Sequence, residues 1–176
     1  MLPSARGTMR PCKNEYRILL ARGMAPVVSL RMEALKEIHI YSDGGCAPSN
    51  PGPGGWGALV TDGGGLYREL CGGEPWTTNN RMELMAVIMA LRSIEDRSRV
   101  VVHADSSYVV NLWGIRRIER GETGQKNHDL WVDLHGEVKR HDVSLVWVKG
   151  HSGDPGNERA DALADLGRTG KGPQVG

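Results

Sequence analysis

The sequence predicts an α/β fold, a five-stranded mixed sheet flanked by helices. Three observations carry that expectation. Two strand-like segments flank Asp62-Gly63-Gly64-Gly65, a hairpin signal that implies antiparallel neighbours. Val100 to Ala104 is a short, β-branched apolar run of the kind buried on both faces of a sheet. Helical segments separate the later strands, so right-handed crossovers should place the first, fourth and fifth strands parallel.

The elements follow in order. Lys36 to Asp43 alternates Ile38, Ile40 and Ser42 against His39, Tyr41 and Asp43, the pattern of a first strand, and it stops at a loop ending Asn50-Pro51-Gly52-Pro53-Gly54-Gly55. Trp56 to Thr61 and Leu66 to Cys71 form the hairpin. Thr78 to Ile94 reads as a long helix, with Thr78 and Asn79 as capping candidates. After the Val100 strand come a short helix from Ser106 to Trp113, a helix from Asp129 to Lys139, a strand from Val143 to Val148 and a last helix from Asn157 to Leu166. The domain should therefore span residues 36–168. Residues 169–176 are expected to form a flexible tail.

Residues 1–35 hold Pro3, Gly7, Pro11, Gly23 and Pro26 with no sustained period, and read as a weakly ordered basic extension. A transit peptide or a nucleic-acid arm would share that composition. The simpler expectation is a start assigned too far upstream, since Met32 leads straight into the first strand. Residues 1–36 carry seven Lys or Arg against Glu15 and Glu33, which leaves 15 basic and 19 acidic residues for the remainder. An acidic body cannot attract phosphate over its whole surface, so any nucleic-acid contact has to be local or carried by bound cations. Three cysteines, Cys12, Cys46 and Cys71, odd in number and without the paired short spacing of a zinc or redox motif, suit a reducing, cytoplasmic setting, and no apolar run reaches the length of a membrane span.

Four carboxylates stand out. Asp43 and Asp105 each end an apolar strand, where open α/β sheets bind their ligands. Taken singly, each would more simply cap a turn. Glu83 shares a helix face with Val87, Ala90 and Ile94, opposite Arg81 and Arg92, so a carboxylate sits in the middle of an apolar stripe. Burying it unpaired costs several kcal/mol, about the desolvation of one ion, which calls for a metal, a cation or a proton. Asp161 looks by itself like part of a solvated helix face. His151 differs from the other histidines in lying on a Gly-rich loop, Lys149 to Asn157, next to that helix.

Five ordered blocks carry a resemblance: Asp43-Gly44-Gly45-Cys46; Asn50 through Gly57; Thr77-Thr78-Asn79-Asn80-Arg81-Met82-Glu83-Leu84; Asp105-Ser106-Ser107-Tyr108-Val109; and Trp147 through His151 with Asn157 through Asp161. Together they resemble bacterial type 1 ribonuclease H over residues 37 to 167. The resemblance implies a ribonuclease H-like fold and hydrolysis of the RNA strand of RNA/DNA hybrids to 5′-phosphate and 3′-hydroxyl ends, by a monomer. It implies Asp43, Glu83, Asp105 and Asp161 as metal ligands for two Mg²⁺, with Mn²⁺ able to substitute, and His151 as an auxiliary catalytic group. Such ions would also supply the positive potential that the acidic body lacks.

For the substrate, the amides of Gly44, Gly45 and Cys46 and the side chains of Asn50, Asn79 and Asn80 are expected to face the hybrid, where 2′-hydroxyls distinguish RNA. Thr78, Asn80 and Ser107 are expected to cradle a DNA phosphate. Two departures stand out. Gly45 and Ser107 occupy positions where the family often has Ser and Gln, and Leu112 to His128, with Arg116, Arg117 and Arg120 as its expected contacts, is shorter than the basic protrusion of long-handled members. A DNA-cutting nuclease on the same sheet would lack the Asn-Pro-Gly-Pro-Gly-Gly and Asn-Asn-Arg-Met-Glu blocks. A non-catalytic hybrid-binding module would have lost a carboxylate.

Overall fold

The computed structural model describes residues 35–65 and 67–171. The expected extension, apart from Leu35, lies outside these, as do Leu66 at the expected start of the third strand and residues 172–176. Five strands form one sheet in the order β3-β2-β1-β4-β5. They are β1 (Glu37–Cys46), β2 (Gly52–Thr61), β3 (Tyr67–Thr77), β4 (Arg99–Ala104) and β5 (Asp142–Trp147). β1 pairs antiparallel with β2, and β2 with β3, whereas β1, β4 and β5 run parallel, as expected.

Five helices cover the sheet: α1 (Asn79–Arg92), α2 (Ser107–Val110), α3 (Trp113–Glu119), α4 (His128–Arg140) and α5 (Pro155–Arg168). α1 lays Val87 and Ala90 into the core against Ile38, Ile40, Val100 and Val102, all buried, and Ile94, expected as the end of the helix, is buried there two residues beyond it. Its outward arginines reach α4. Arg81 forms a two-pronged pair with Asp129 (3.1 and 2.7 Å), and Arg92 bridges Asp133 and Glu137 (2.9 and 3.0 Å). On the opposite face of the sheet, α5 packs on β1, β2 and β3.

Three sequence expectations change. Gly52 to Gly55 belongs to β2 rather than to a loop, because it pairs with β3 and is packed from both sides, with Gly54 against Met82 of α1 and Gly55 against α5. A Cβ at Gly55 would collide with the Ala164 carbonyl and the Arg168 amide, and one at Gly57 with the Ala160 carbonyl and the Ala164 amide. β4 is fully buried on one face only. Val100, Val102 and Ala104 are enclosed, but Val101 and His103 are half-buried because α5 crosses the other half of the sheet. The single helix expected at Ser106 to Trp113 is two helices broken at Leu112 (φ 47°), which turns α3 so that Gly114 meets the ring of buried Trp131.

The α5 contact sets a test of packing. Gly57→Ala should lower stability by about 3 kcal/mol or more, because two backbone atoms must move. Gly136→Ala, in open space on α4, should raise it by about 0.5–1 kcal/mol. Urea unfolding of both variants measures the contrast.

Candidate active site

Strand pairing builds the site. Ser42 stands opposite Ala104, the last pair of the parallel β1/β4 ladder, so Asp43, which lies within β1 rather than ending it as expected, and Asp105, just past β4, emerge side by side beyond that pair. Gly44 has no side chain because the first turn of α1 lies against it. A Cβ there would strike Met82 and the Glu83 amide. That close approach brings Glu83 over the strand ends. Oxygens of Asp43, Glu83 and Asp105 all lie within 4.8 Å of one another.

Like charges at this spacing oppose ionisation. Burial, then the charges of Asp105 and Asp161, push the Asp43 carboxyl up to about 6 from its ordinary 3.8, against the Gly44 amide, which favours the anion. Burial, then Asp43 and Asp105, hold Glu83 well above the usual carboxylate range. Glu83 Oε2 is buried without a hydrogen-bond partner. Three converging carboxylates, one with a buried, unpartnered oxygen, are a donor set suited to hard divalent cations, which take oxygen ligands. The residues therefore fit a metal.

Asp161 lies outside the tight group of three. It is exposed on α5, close enough to Asp43 to act on it by charge and by a hydrogen bond. Asp43 and Asp161 line one side of a cavity of about 170 Å³, shared with Gly45, Cys46, Asp165 and Arg168. His151 is exposed in the loop after β5, with φ at 50°. Its neighbour Gly150 abuts the Asp105 carboxylate so closely that a Cβ would collide with Oδ2. The loop is thus anchored at the site one residue before the histidine.

The expected substrate contacts surround this centre. The Cys46 amide donates to Asn79 Oδ1 (2.8 Å), and the Asn79 amide donates to Asn50 Oδ1 (3.2 Å), so these three residues brace one another. Thr78 is the N-cap of α1, but its side chain makes no capping hydrogen bond. Asn80 and Ser107 are exposed. Gly45 opposes Gly55 in the β1/β2 ladder. On the short handle, Arg116 is exposed, whereas Arg117 and Arg120 both pair with Glu122 (3.0 and 2.5 Å), and Arg117 lies over the Trp113 ring. Two of the three handle charges are therefore partly neutralised within the helix and its turn.

Sequence reasoning gave no separate role to Trp147, whose indole donates to the Asp105 carbonyl (2.9 Å), or to Trp76, which is 71% exposed two residues before Thr78. The signal for Trp147 was its place at the end of β5, opposite Ala104.

An acidic centre at the ends of two parallel strands, completed by a helix packed on each face, places the chain among α/β enzymes that work through clustered carboxylates. The match to known proteins narrows this to one family. The RNase H family model matches residues 35–169. Ribonuclease H of Alcanivorax borkumensis is 51% identical over 141 residues, covering 76% of this chain and 92% of that protein, and ribonuclease HI of Caulobacter vibrioides is 48% identical over 149 residues, covering 79% and 97%. Among solved structures, LC9-RNase H1, described as a type 1 RNase H with the type 2 active-site motif, superposes with a TM-score of 0.71 at 34% identity, covering 79% of this chain and 75% of that one. LC11-RNase H1, crystallised with an RNA/DNA hybrid, gives 0.57 at 26% identity, covering 76% and 97%. The chain belongs to the RNase H family, in its bacterial type 1 branch, and is a nuclease.

The raised Asp43 pKa gives a test. The folded state holds this proton more tightly than the unfolded chain does, so metal-free stability should fall as pH rises from about 4 to about 6. Asp43→Asn removes one charge from the cluster. At pH 7 without metal it should be more stable than the parent by about 1–2 kcal/mol, and the decline between pH 4 and 6 should shrink. Thermal unfolding across that range decides.

Proposed function

We propose that the chain hydrolyses the RNA strand of RNA/DNA hybrids at the Asp43, Glu83 and Asp105 centre, with Asp161 completing a ligand set for two Mg²⁺ ions that Mn²⁺ can replace. The observation that carries the reading is the convergence of three carboxylates within 4.8 Å, one of them Glu83, whose Oε2 is buried without a hydrogen-bond partner. When bound, the ions supply Lewis acidity at the phosphate and make water a stronger nucleophile. Water attacks phosphorus and the bond to the 3′ oxygen breaks, leaving 5′-phosphate and 3′-hydroxyl ends.

The protein's own part is positioning. β1, β4 and α1 fix three carboxylates on different backbones, and the Trp147 indole and the Gly150 contact steady Asp105. His151, on an exposed loop beside Asp105, serves proton transfer or product release. Asn50, Asn79, Asn80 and the Gly44 to Cys46 amides form the face that reads the hybrid. Thr78, with its hydroxyl uncommitted to capping, and Ser107 face the DNA phosphate. Arg116 is the handle arginine that no carboxylate pairs among the described residues. The crystallised complex of LC11-RNase H1 with a hybrid supports the choice of substrate. The catalytic unit is 36–168, acting as a monomer in the cytoplasm. No helix among the described residues is long and apolar enough to cross a membrane.

Matched RNA/DNA, RNA/RNA and DNA/DNA duplexes incubated with Mg²⁺ test the reading on gels. Only the RNA of the hybrid should be cut, and EDTA should stop the reaction. Cleavage of duplex DNA at a comparable rate, or activity in EDTA, contradicts it. His151→Ala should keep some activity, with kcat reduced by on the order of 10 to 10³. A loss as complete as that of Asp43→Asn would move His151 into the essential set.

A further inference from the structure

The sheet face turned away from α1 holds two histidines on neighbouring parallel strands. Tyr41 of β1 stands opposite His103 of β4, so His39, two residues earlier, is the diagonal neighbour of His103 on the same face. His39 Nδ1 and His103 Nε2 are 3.1 Å apart. The rings are nearly parallel, with centroids 5.4 Å apart and planes at 19°, and Tyr41 covers His103 at 4.6 Å. The other His39 nitrogen, Nε2, lies 3.5 Å from Glu37 Oε1.

We propose that His39 and His103 form a binding site for one borderline transition-metal ion, Zn²⁺, Ni²⁺ or Cu²⁺, separate from the carboxylate centre. Two imidazole nitrogens bound at about 2.0–2.1 Å to one ion stand about 2.9–3.4 Å apart, depending on whether the angle between them is square or tetrahedral. The observed separation falls inside that window. Imidazole nitrogens suit these ions and not Mg²⁺, which takes oxygen ligands. Glu37 Oε1 lies 3.5 Å from His39 Nε2, which places a carboxylate beside the ring, where outer carboxylates of metal-binding histidines commonly sit.

The surroundings are compatible with a cation. Glu37 lies beside His39, and Asp154 contributes negative potential at His103. Arg99, at the start of β4, is drawn toward Glu37 (3.9 Å) and Asp142 (3.7 Å). The His39 side chain is 35% exposed, which leaves room for water to complete the coordination. An ion held here would tie β1 to β4, four residues before Asp43 and two before Asp105. It would cross-link the two strands that present the carboxylates.

Calorimetric titration of the full chain with Ni²⁺, in Mg²⁺ sufficient to occupy the carboxylate centre, tests the site. One Ni²⁺ should bind per chain, and the urea midpoint should rise with Ni²⁺ concentration, because only the folded state brings the two rings together. His39→Gln and His103→Gln should each abolish both effects, and Glu37→Gln should weaken binding by about tenfold. The other four histidines remain in every variant, so binding that survives both replacements overturns the proposal. So does the absence of saturable binding, which would leave the pair as a hydrogen bond alone. In the parent chain, paramagnetic Ni²⁺ should broaden the imidazole signals of His39 and His103 first. Selective broadening of other histidines would overturn the assignment without recourse to a variant.

Discussion

Three carboxylates from three separate segments meet within 4.8 Å, and their mutual repulsion is the constraint around which the rest of the site is arranged. Left to themselves they would separate or take up protons. They are held because each belongs to an element fixed by something else. Asp43 and Asp105 follow the paired residues Ser42 and Ala104, and Glu83 is carried by a helix whose Val87 and Ala90 are locked in the core. Apolar burial on one side of α1 thus supplies the force that keeps an unfavourable polar group on the same side.

Close backbone approach is the means by which this is done. Gly44 lets α1 come down onto β1, Gly55 and Gly57 let α5 lie on β2, and Gly150 lets the loop bearing His151 touch Asp105. Each is a position where a single carbon would displace a helix or a loop from the strand ends. The acidic remainder of the chain, with 15 basic and 19 acidic residues beyond position 36, has the same consequence at larger scale. A polyanionic substrate must meet its positive charge locally. On the handle, Glu122 takes up much of what Arg117 and Arg120 offer.

Much of this was legible in the sequence because it rests on periodicity. The alternation in Lys36 to Asp43, the apolar run at Val100 and the position of Glu83 on its helix face each follow from the repeat of a strand or a helix, and the parallel order followed from the crossovers. What could not be read depends on residues distant in sequence. Gly52 to Gly55 has the composition of a loop, and only its pairing with β3 and its packing between α1 and α5 make it a strand. The break at Leu112 follows from Trp131 seating against Gly114. In the site, the convergence of Asp43, Glu83 and Asp105 was expected, but Asp161 stands outside the tight group. The braces from Asn79 to Cys46 and Asn50 link side chains to backbone across loops, which no spacing rule announces.

The account turns on electrostatic conflict within the carboxylate centre, and the protonation of Asp43 reads that conflict directly. A carbon-13 NMR titration of the Asp43 side-chain carboxyl in metal-free protein should give a midpoint near 6, well above the ordinary 3.8, and saturating Mg²⁺ should drive it down. A midpoint in the ordinary carboxylate range, unmoved by Mg²⁺, would contradict the claim that these groups are held together against their own repulsion.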